Sequence, residues 1–285
     1  MPSSPATKAV ILARGLGTRM RRSDPTAPPL DARQAAVAET GVKAMMPVGR
    51  PFLDYVLSTL AEAGYREACL VIGPEHDAVR EHYTPRGGGG GESVGGGGGR
   101  RTMRLRIAYA VQPQPTGTAD AVAAAEGFVG SERFLVINSD NLYPVEALHG
   151  LRLLEGAGLA AFSAAGLVEE GEIPAARVAR WPVVKQTPDH WLVALEERGG
   201  GDGQPGDEEY VSVNCWMFTP AIFQACRAVS ASAGGERELP AAVRHALAQG
   251  ERFRVLPLRR PVLDLTSRAD VANVARRLAS VEVRL

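Results

Sequence analysis

Apolar residues in this chain fall in short runs separated by stretches with helical periodicity. Lys8 to Ala13 (KAVILA) is an apolar run of strand length that empties into Arg14-Gly15-Leu16-Gly17-Thr18-Arg19-Met20. Phe52, Leu53, Val56, Leu57 and Leu60 then recur at the spacing of one helix face, and Gly64 closes that helix before a strand at Ala68 to Ile72. Leu105 to Val111 and Phe134 to Ile137 read as further strands, with a helix over Thr118 to Glu126 between them. This alternation predicts a mainly parallel sheet covered by helices. In such sheets ligands sit outside the carboxyl ends of the strands. Gly15 to Arg19, Gln112 to Gly117 and Asp140 all follow such ends.

The later half is less regular. Leu159 to Ser163, Arg177 to Val184, Trp191 to Leu195 and Val211 to Phe218 read as strands with few helices between them, which predicts a mixed or antiparallel addition to the parallel core. Pro220 opens a helix through Arg227, and helices follow over Leu239 to Gln249 and Arg268 to Val281, the last with Ser267 as N-cap. Asp31 to Glu39 forms an extra helix after the glycine turn. Arg86 to Arg100 is almost all glycine and reads as a flexible insertion; Gly199 to Glu209 is glycine- and acid-rich, either filler or a lid.

Composition narrows the class. With 285 residues and 45% hydrophobic content the chain can bury one large α/β core. No apolar run is long enough to cross a bilayer, and the Met-Pro-Ser-Ser-Pro start lacks the regions of a signal peptide, so a cytoplasmic protein is expected. Thirty-two Lys and Arg balance 32 Asp and Glu, so there is no electrostatic footprint for nucleic acid or an acidic membrane. Cys69, Cys215 and Cys226 lack metal-ligand spacing and read as reduced structural thiols. The five histidines, His76, His82, His149, His190 and His245, likewise read as surface or packing residues.

The turn after the first run carries chemistry. Gly15 and Gly17 allow a tight turn and let an anion approach the backbone amides, and Arg19 adds a fork-shaped positive charge. A dinucleotide-binding turn wants a third glycine where Met20 stands, and a P-loop wants Gly-Lys-Ser/Thr, which is absent. The loop points to phosphates, but not to NAD or a Walker ATPase.

Leu12 to Met20 (LARGLGTRM) resembles the signature loop of the sugar-1-phosphate nucleotidyltransferases. Gly41 to Val48 (GVKAMMPV), Gln112 to Ala121 (QPQPTGTADA) and Phe134 to Asn141 (FLVINSDN) resemble, in order, that family's lysine segment, base-reading loop and metal-binding strand end. Val262 to Val271 (VLDLTSRADV) is similar to the context of its second metal aspartate. The resemblance implies a Rossmann-like, mixed but mainly parallel sheet sandwiched by helices, the nucleotide-diphospho-sugar transferase fold. It implies one domain over 1–285, with a nucleotide-binding half to about 145 and a sugar-phosphate half from about 146. The implied activity joins a nucleoside monophosphate from an NTP, UTP or dTTP foremost, to a sugar 1-phosphate and releases pyrophosphate.

The same resemblance distributes roles. Leu12, Ala13, Gly15, Gly17, Thr18, Gln112, Gly117 and Thr118 would bind nucleotide; Arg19, Lys43 and Asp140 would be catalytic; Asp140 and Asp264 would hold Mg²⁺; Asn141, Glu197, Arg198 and Asn214 would hold the sugar phosphate. Read without it, Asp140 is equally a cap after its strand, Asp264 a surface turn, Lys43 a solvated charge and Gln112 a polar turn. Gln112 offers one donor and one acceptor, which suits uracil or thymine but also adenine. The chain departs from the family pattern at Arg14, where glycine or alanine is usual, and at Glu196-Glu197-Arg198, where Glu-Lys-Pro is usual. Gly234 to Pro240 (GGERELP) faintly resembles the family's Arg-Gly-Glu-x-Glu segment. An ADP- or GDP-sugar pyrophosphorylase, a glycosyltransferase and a catalytically silent effector-binding homologue stay open as alternatives. So does the oligomeric state, a homo-oligomer included.

Overall fold

The computed structural model describes residues 4–84, 104–197, 206, 209–232 and 234–285. The glycine-rich insertion, Arg198 and nearly all of 199–208 lie outside the described residues. Nine strands form one sheet: β1 Lys8–Leu12, β2 Glu67–Ile72, β3 Arg106–Val111, β4 Phe134–Asn138, β5 Ala157–Ser163, β6 Val183–Gln186, β7 Leu192–Glu196, β8 Tyr210–Phe218 and β9 Phe253–Leu258. The order is β7-β6-β8-β4-β1-β2-β3, with β5 on the other side of β8 and β9 beyond it. β1, β2, β3 and β4 are parallel, as are β5 and β9; β8 runs antiparallel to β4, β5 and β6. The sheet is therefore mixed and mainly parallel, as expected.

The alternation along each central strand explains the layering. Ala9 and Ile11 of β1, Leu70 and Ile72 of β2 and Leu135 and Ile137 of β4 enter one core, whereas Val10, Leu12, Val71, Phe134 and Val136 enter the other. Period-two side chains thus feed both faces, and both faces must be covered by helices. Helix Phe52–Glu62 covers the first with Phe52, Leu53, Val56, Leu57 and Leu60. Helices Thr118–Ala124, Ile222–Ala228 and Leu239–Ala248 cover the second. Each large apolar side chain so buried contributes about 1.5–3 kcal/mol.

Three details differ from expectation. The strand expected over Arg177 to Val184 is instead a helical turn, Ala175–Val178, followed by β6 from Val183. Pro174 caps that turn with its fixed φ, and Pro182 separates it from the strand. The helix expected to Glu126 breaks at Ala125, whose amide bonds the Val122 carbonyl, and a second turn runs Glu126–Val129. The C-terminal helix stops at Leu278, three residues early. The extra helix forms over Ala32–Thr40, with Asp31 and Gln34 in a reciprocal capping box.

Candidate active site

The glycine loop leaves the end of β1 and feeds a short helix, Thr18–Arg21. Gly17 has φ of 60°, and a Cβ there would lie 2.2 Å from the Gly41 carbonyl oxygen, so both backbone conformation and space demand glycine. Met20 is fully buried beneath the loop, while Gly15, Leu16, Thr18 and Arg19 stay exposed above it. Apolar anchoring of Met20 is what this loop has in place of a third glycine.

These residues line a cavity of about 420 Å³. Its lining comes from Leu12, Arg14, Gly15, Gly17, Thr18 and Arg19 after β1, from Gln112, Gly117 and Thr118 after β3, and from Lys43, Asp140 and Asn214. Ala13, expected among them, is buried in the core behind the loop instead. A second cavity of about 150 Å³ shares Arg19, Asp140 and Asn214 with the first and adds Asn141, Arg177, Trp181 and Asp264.

At the junction of the two cavities Lys43 pairs with Asp140. Lys43 opens a 3₁₀ turn, Lys43–Met45, held down by buried Ala44 and Met46, so its ammonium rises from packed backbone and not from a free loop. Asp140 follows β4, and the next residue, Asn141, pairs in antiparallel register with Asp264; the Leu265 amide donates to the Asp140 carbonyl at 2.9 Å. A two-residue bridge therefore brings together carboxylates 124 positions apart in sequence. Asp264 is only 8% exposed. It accepts from Asn141 Nδ2 at 2.8 Å and Thr266 Oγ1 at 3.1 Å, and pairs with Arg177. Burial and the Asp140 charge push its carboxyl above the ordinary range, against the pull of Arg177.

The wall near Gln112 differs from the sequence-based expectation. Gln112 is 2% exposed, and its Nε2 donates to the Gly117 carbonyl and to Asp120 Oδ2, each at 3.0 Å. Both amide hydrogens are spent inside the protein; only Oε1 is left to accept. Gly117 needs glycine because the Arg237 backbone crosses it, with a Cβ 2.3 Å from the Arg237 carbonyl oxygen at φ of 113°. Segment 234–240 is thus part of the wall: Arg237 exchanges backbone bonds with Thr116 and Ala119, and Thr118 Oγ1 accepts from the Leu239 amide.

Asn214 interrupts β8 where the register slips between Ser212 and Trp216, with φ of 51°. Tyr143 fixes the bulge by donating to the Val213 carbonyl at 2.6 Å. The bulge turns Asn214 into both cavities. Glu197 lines neither cavity; it is exposed and 3.0 Å from Arg244. Residues not singled out from sequence include Arg177, Trp181, Asn138 and Thr266. Thr266 carried a signal, two positions after Asp264, whereas Arg177 lay in a stretch with strand-like pattern.

Among the described residues no group of three or more His, Cys, Asp or Glu side chains is placed to hold a metal alone. The three thiols are buried, and burial pushes Cys69 and Cys226 up to about 12, which makes them poor nucleophiles. No helix among the described residues is long and apolar enough to cross a membrane.

A cavity-lining glycine loop, a lysine and two carboxylates at the strand ends of a mixed sheet accompany a match to the nucleotidyl transferase family over residues 8–260. The chain belongs to that family. It is 27% identical over 278 residues to the glucose-1-phosphate thymidylyltransferase of Streptomyces antibioticus, covering 94% of this chain and 65% of that one. It is 25% identical over 262 residues to the UTP–glucose-1-phosphate uridylyltransferase of Streptococcus pneumoniae, covering 85% and 80%. The solved structure of a UDP-glucose pyrophosphorylase complexed with UDP-glucose shares the fold, with a TM-score of 0.72 at 17% identity, covering 97% of this chain and 100% of that one. The chain spans 65% of the Streptomyces antibioticus relative and 58% of a nucleotidyltransferase from Haloferax volcanii.

Proposed function

We propose that the protein transfers a nucleoside monophosphate from an NTP, UTP or dTTP foremost, to a sugar 1-phosphate, giving an NDP-sugar and pyrophosphate. The observation that carries this is that the two cavities share Arg19, Asp140 and Asn214: the larger is lined by the glycine loop and the cations Arg19 and Lys43, as a triphosphate needs, and the smaller adds Asn141, Ser212 and Arg177 beside Asp264. The acceptor phosphate oxygen attacks the α-phosphorus and the bond to the β-phosphate oxygen breaks. The nucleophile is already an anion, so no general base is needed; the barrier is the meeting of two polyanions.

Arg19 and the loop amides of Gly15 to Thr18 hold the β- and γ-phosphates, and Lys43 neutralises charge at the α-phosphate. Gln112, Gly117 and Thr118 bound the base; Leu12 and Ala13 support the loop. Asn141 and Asn214 face the sugar phosphate. Glu197, which follows β7, would reach it on leaving Arg244; Arg198 is assigned to it on sequence alone.

Asp140 and Asp264 offer hard oxygen donors on adjoining backbones, a set that suits Mg²⁺ completed by substrate phosphates. Bound there, Mg²⁺ would neutralise charge on the α-phosphate and the departing pyrophosphate. A cytoplasmic location, where NTPs are available, belongs to the same reading. The test is pyrophosphate release across the common NTPs and a panel of sugar 1-phosphates with Mg²⁺. UTP or dTTP with one sugar 1-phosphate should stand out; no release above the sugar-free rate for any pair would reject the assignment.

A further inference from the structure

Arg14 stands at the end of β1 with its side chain only 8% exposed, lining the larger cavity. Its Nε and Nη2 each donate to Glu75 at 3.3 Å, long for such a pair, and Glu75 is half exposed. Its Nη1 is buried with no acceptor among the described residues. A buried guanidinium nitrogen without a partner is costly, and because Arg14 lines the cavity a pivot of the fork would bring it to an acceptor there. The fork lies across Gly73, where a Cβ would be 2.4 Å from Arg14 Nε. Gln112 sits next to this point, its amide bonded to the Ile72 carbonyl at 2.9 Å. Arg14 and Gln112 therefore flank the end of β2 and both line the cavity.

The two side chains have opposite and fixed characters. Arg14 can only donate. Gln112 can only accept, because its two hydrogens go to Gly117 and Asp120, and a flipped amide would set oxygen against two acceptors.

We propose that Arg14 is a base-specificity residue: it donates to the O4 carbonyl oxygen of uracil or thymine while Gln112 Oε1 accepts from the neighbouring ring N3–H. This rests on the nucleotide site proposed above. Cytosine in the same pose inverts both contacts, setting a ring lone pair against Gln112 and an amino group against Arg14. The wall is thus built to reject CTP as well as to take UTP. The long bonds to Glu75 let the fork pivot toward the base, which makes Glu75 a positioning residue.

The test is equilibrium binding of UTP and CTP by calorimetry, together with kcat/KM for each NTP at one sugar 1-phosphate, in wild type, Arg14→Ala and Glu75→Gln. Arg14→Ala should weaken UTP about ten- to a hundredfold and leave CTP nearly unchanged, collapsing the UTP-to-CTP ratio. Glu75→Gln should narrow the ratio less. An equal loss for both nucleotides would place Arg14 on phosphate or in the scaffold and overturn the proposal, as would an unmoved ratio. Base discrimination that depends on Arg14 without any turnover would support this inference while rejecting the reaction.

Discussion

Arg177 ties Asp264 to Asp270: one arm of its guanidinium pairs with the Asp264 carboxylate and the other lies 3.0 Å from Asp270 Oδ1. Asp270 in turn accepts from the amides of Thr266 and Ser267, so one arginine links a candidate metal carboxylate to the cap of the C-terminal helix. Removing it leaves Asp264 buried and near Asp140 without its cation. Arg177→Met should cost about 3 kcal/mol, the low end for a broken buried pair, in urea unfolding. Adding Asp264→Asn should return part of that, because the orphaned charge is gone. A single variant as stable as wild type would show the pair to be energetically idle.

Asp140→Asn keeps the shape of the strand end but removes the charge opposite Lys43. On the proposed mechanism turnover should fall on the order of a thousandfold or more, with an unfolding free energy unchanged to within about 1 kcal/mol. Near-normal pyrophosphate release would reject Asp140 as a catalytic group.

His76 reports on pH. Its Nδ1 accepts from the Gly73 amide at 3.2 Å, which needs a neutral ring; burial holds its pKa below the ordinary 6.5, Glu75 opposing and Arg14 and Arg21 assisting. The unfolded chain takes up a proton near 6.5 that the folded ring refuses, so this residue lowers stability as pH falls from about 7 toward the folded value. His76→Asn retains an acceptor without titrating. The slope of Tm between pH 7 and 5.5 should be shallower in that variant than in wild type; identical slopes would show that His76 contributes nothing.

Gln112→Glu tests the internal use of the amide. The new carboxylate would face the Gly117 carbonyl and Asp120 Oδ2, both of which now accept from Nε2. Stability should drop by about 1–3 kcal/mol, and Asp120→Asn in that background should restore part of it by supplying a donor. If chemical denaturation finds the single variant unchanged, Gln112 spends its hydrogens elsewhere.

Local pattern was enough for much of this molecule. The apolar run before the glycine loop, the helix face from Phe52 to Leu60 and the capping residues Asp31 and Ser267 are short-range features, because strand and helix periods and caps are written within a few residues. The same holds for the residue types at Gly17, Lys43, Asp140 and Asp264, each set in a motif of ten residues or fewer.

What the chain pattern did not determine are contacts between distant segments. Arg177 reaches Asp264 across 87 positions, from a turn whose Val-rich surroundings imitate a strand. Gly117 owes its glycine to the Arg237 backbone, and Asn214 its direction to a bulge held by Tyr143. The acceptor character of Gln112 and the unpaired nitrogen of Arg14 likewise follow from which partners their other nitrogens already have. A side chain's type is set by its codon, but its unspent hydrogen-bonding capacity is set by its neighbours in space, and only the folded chain decides those.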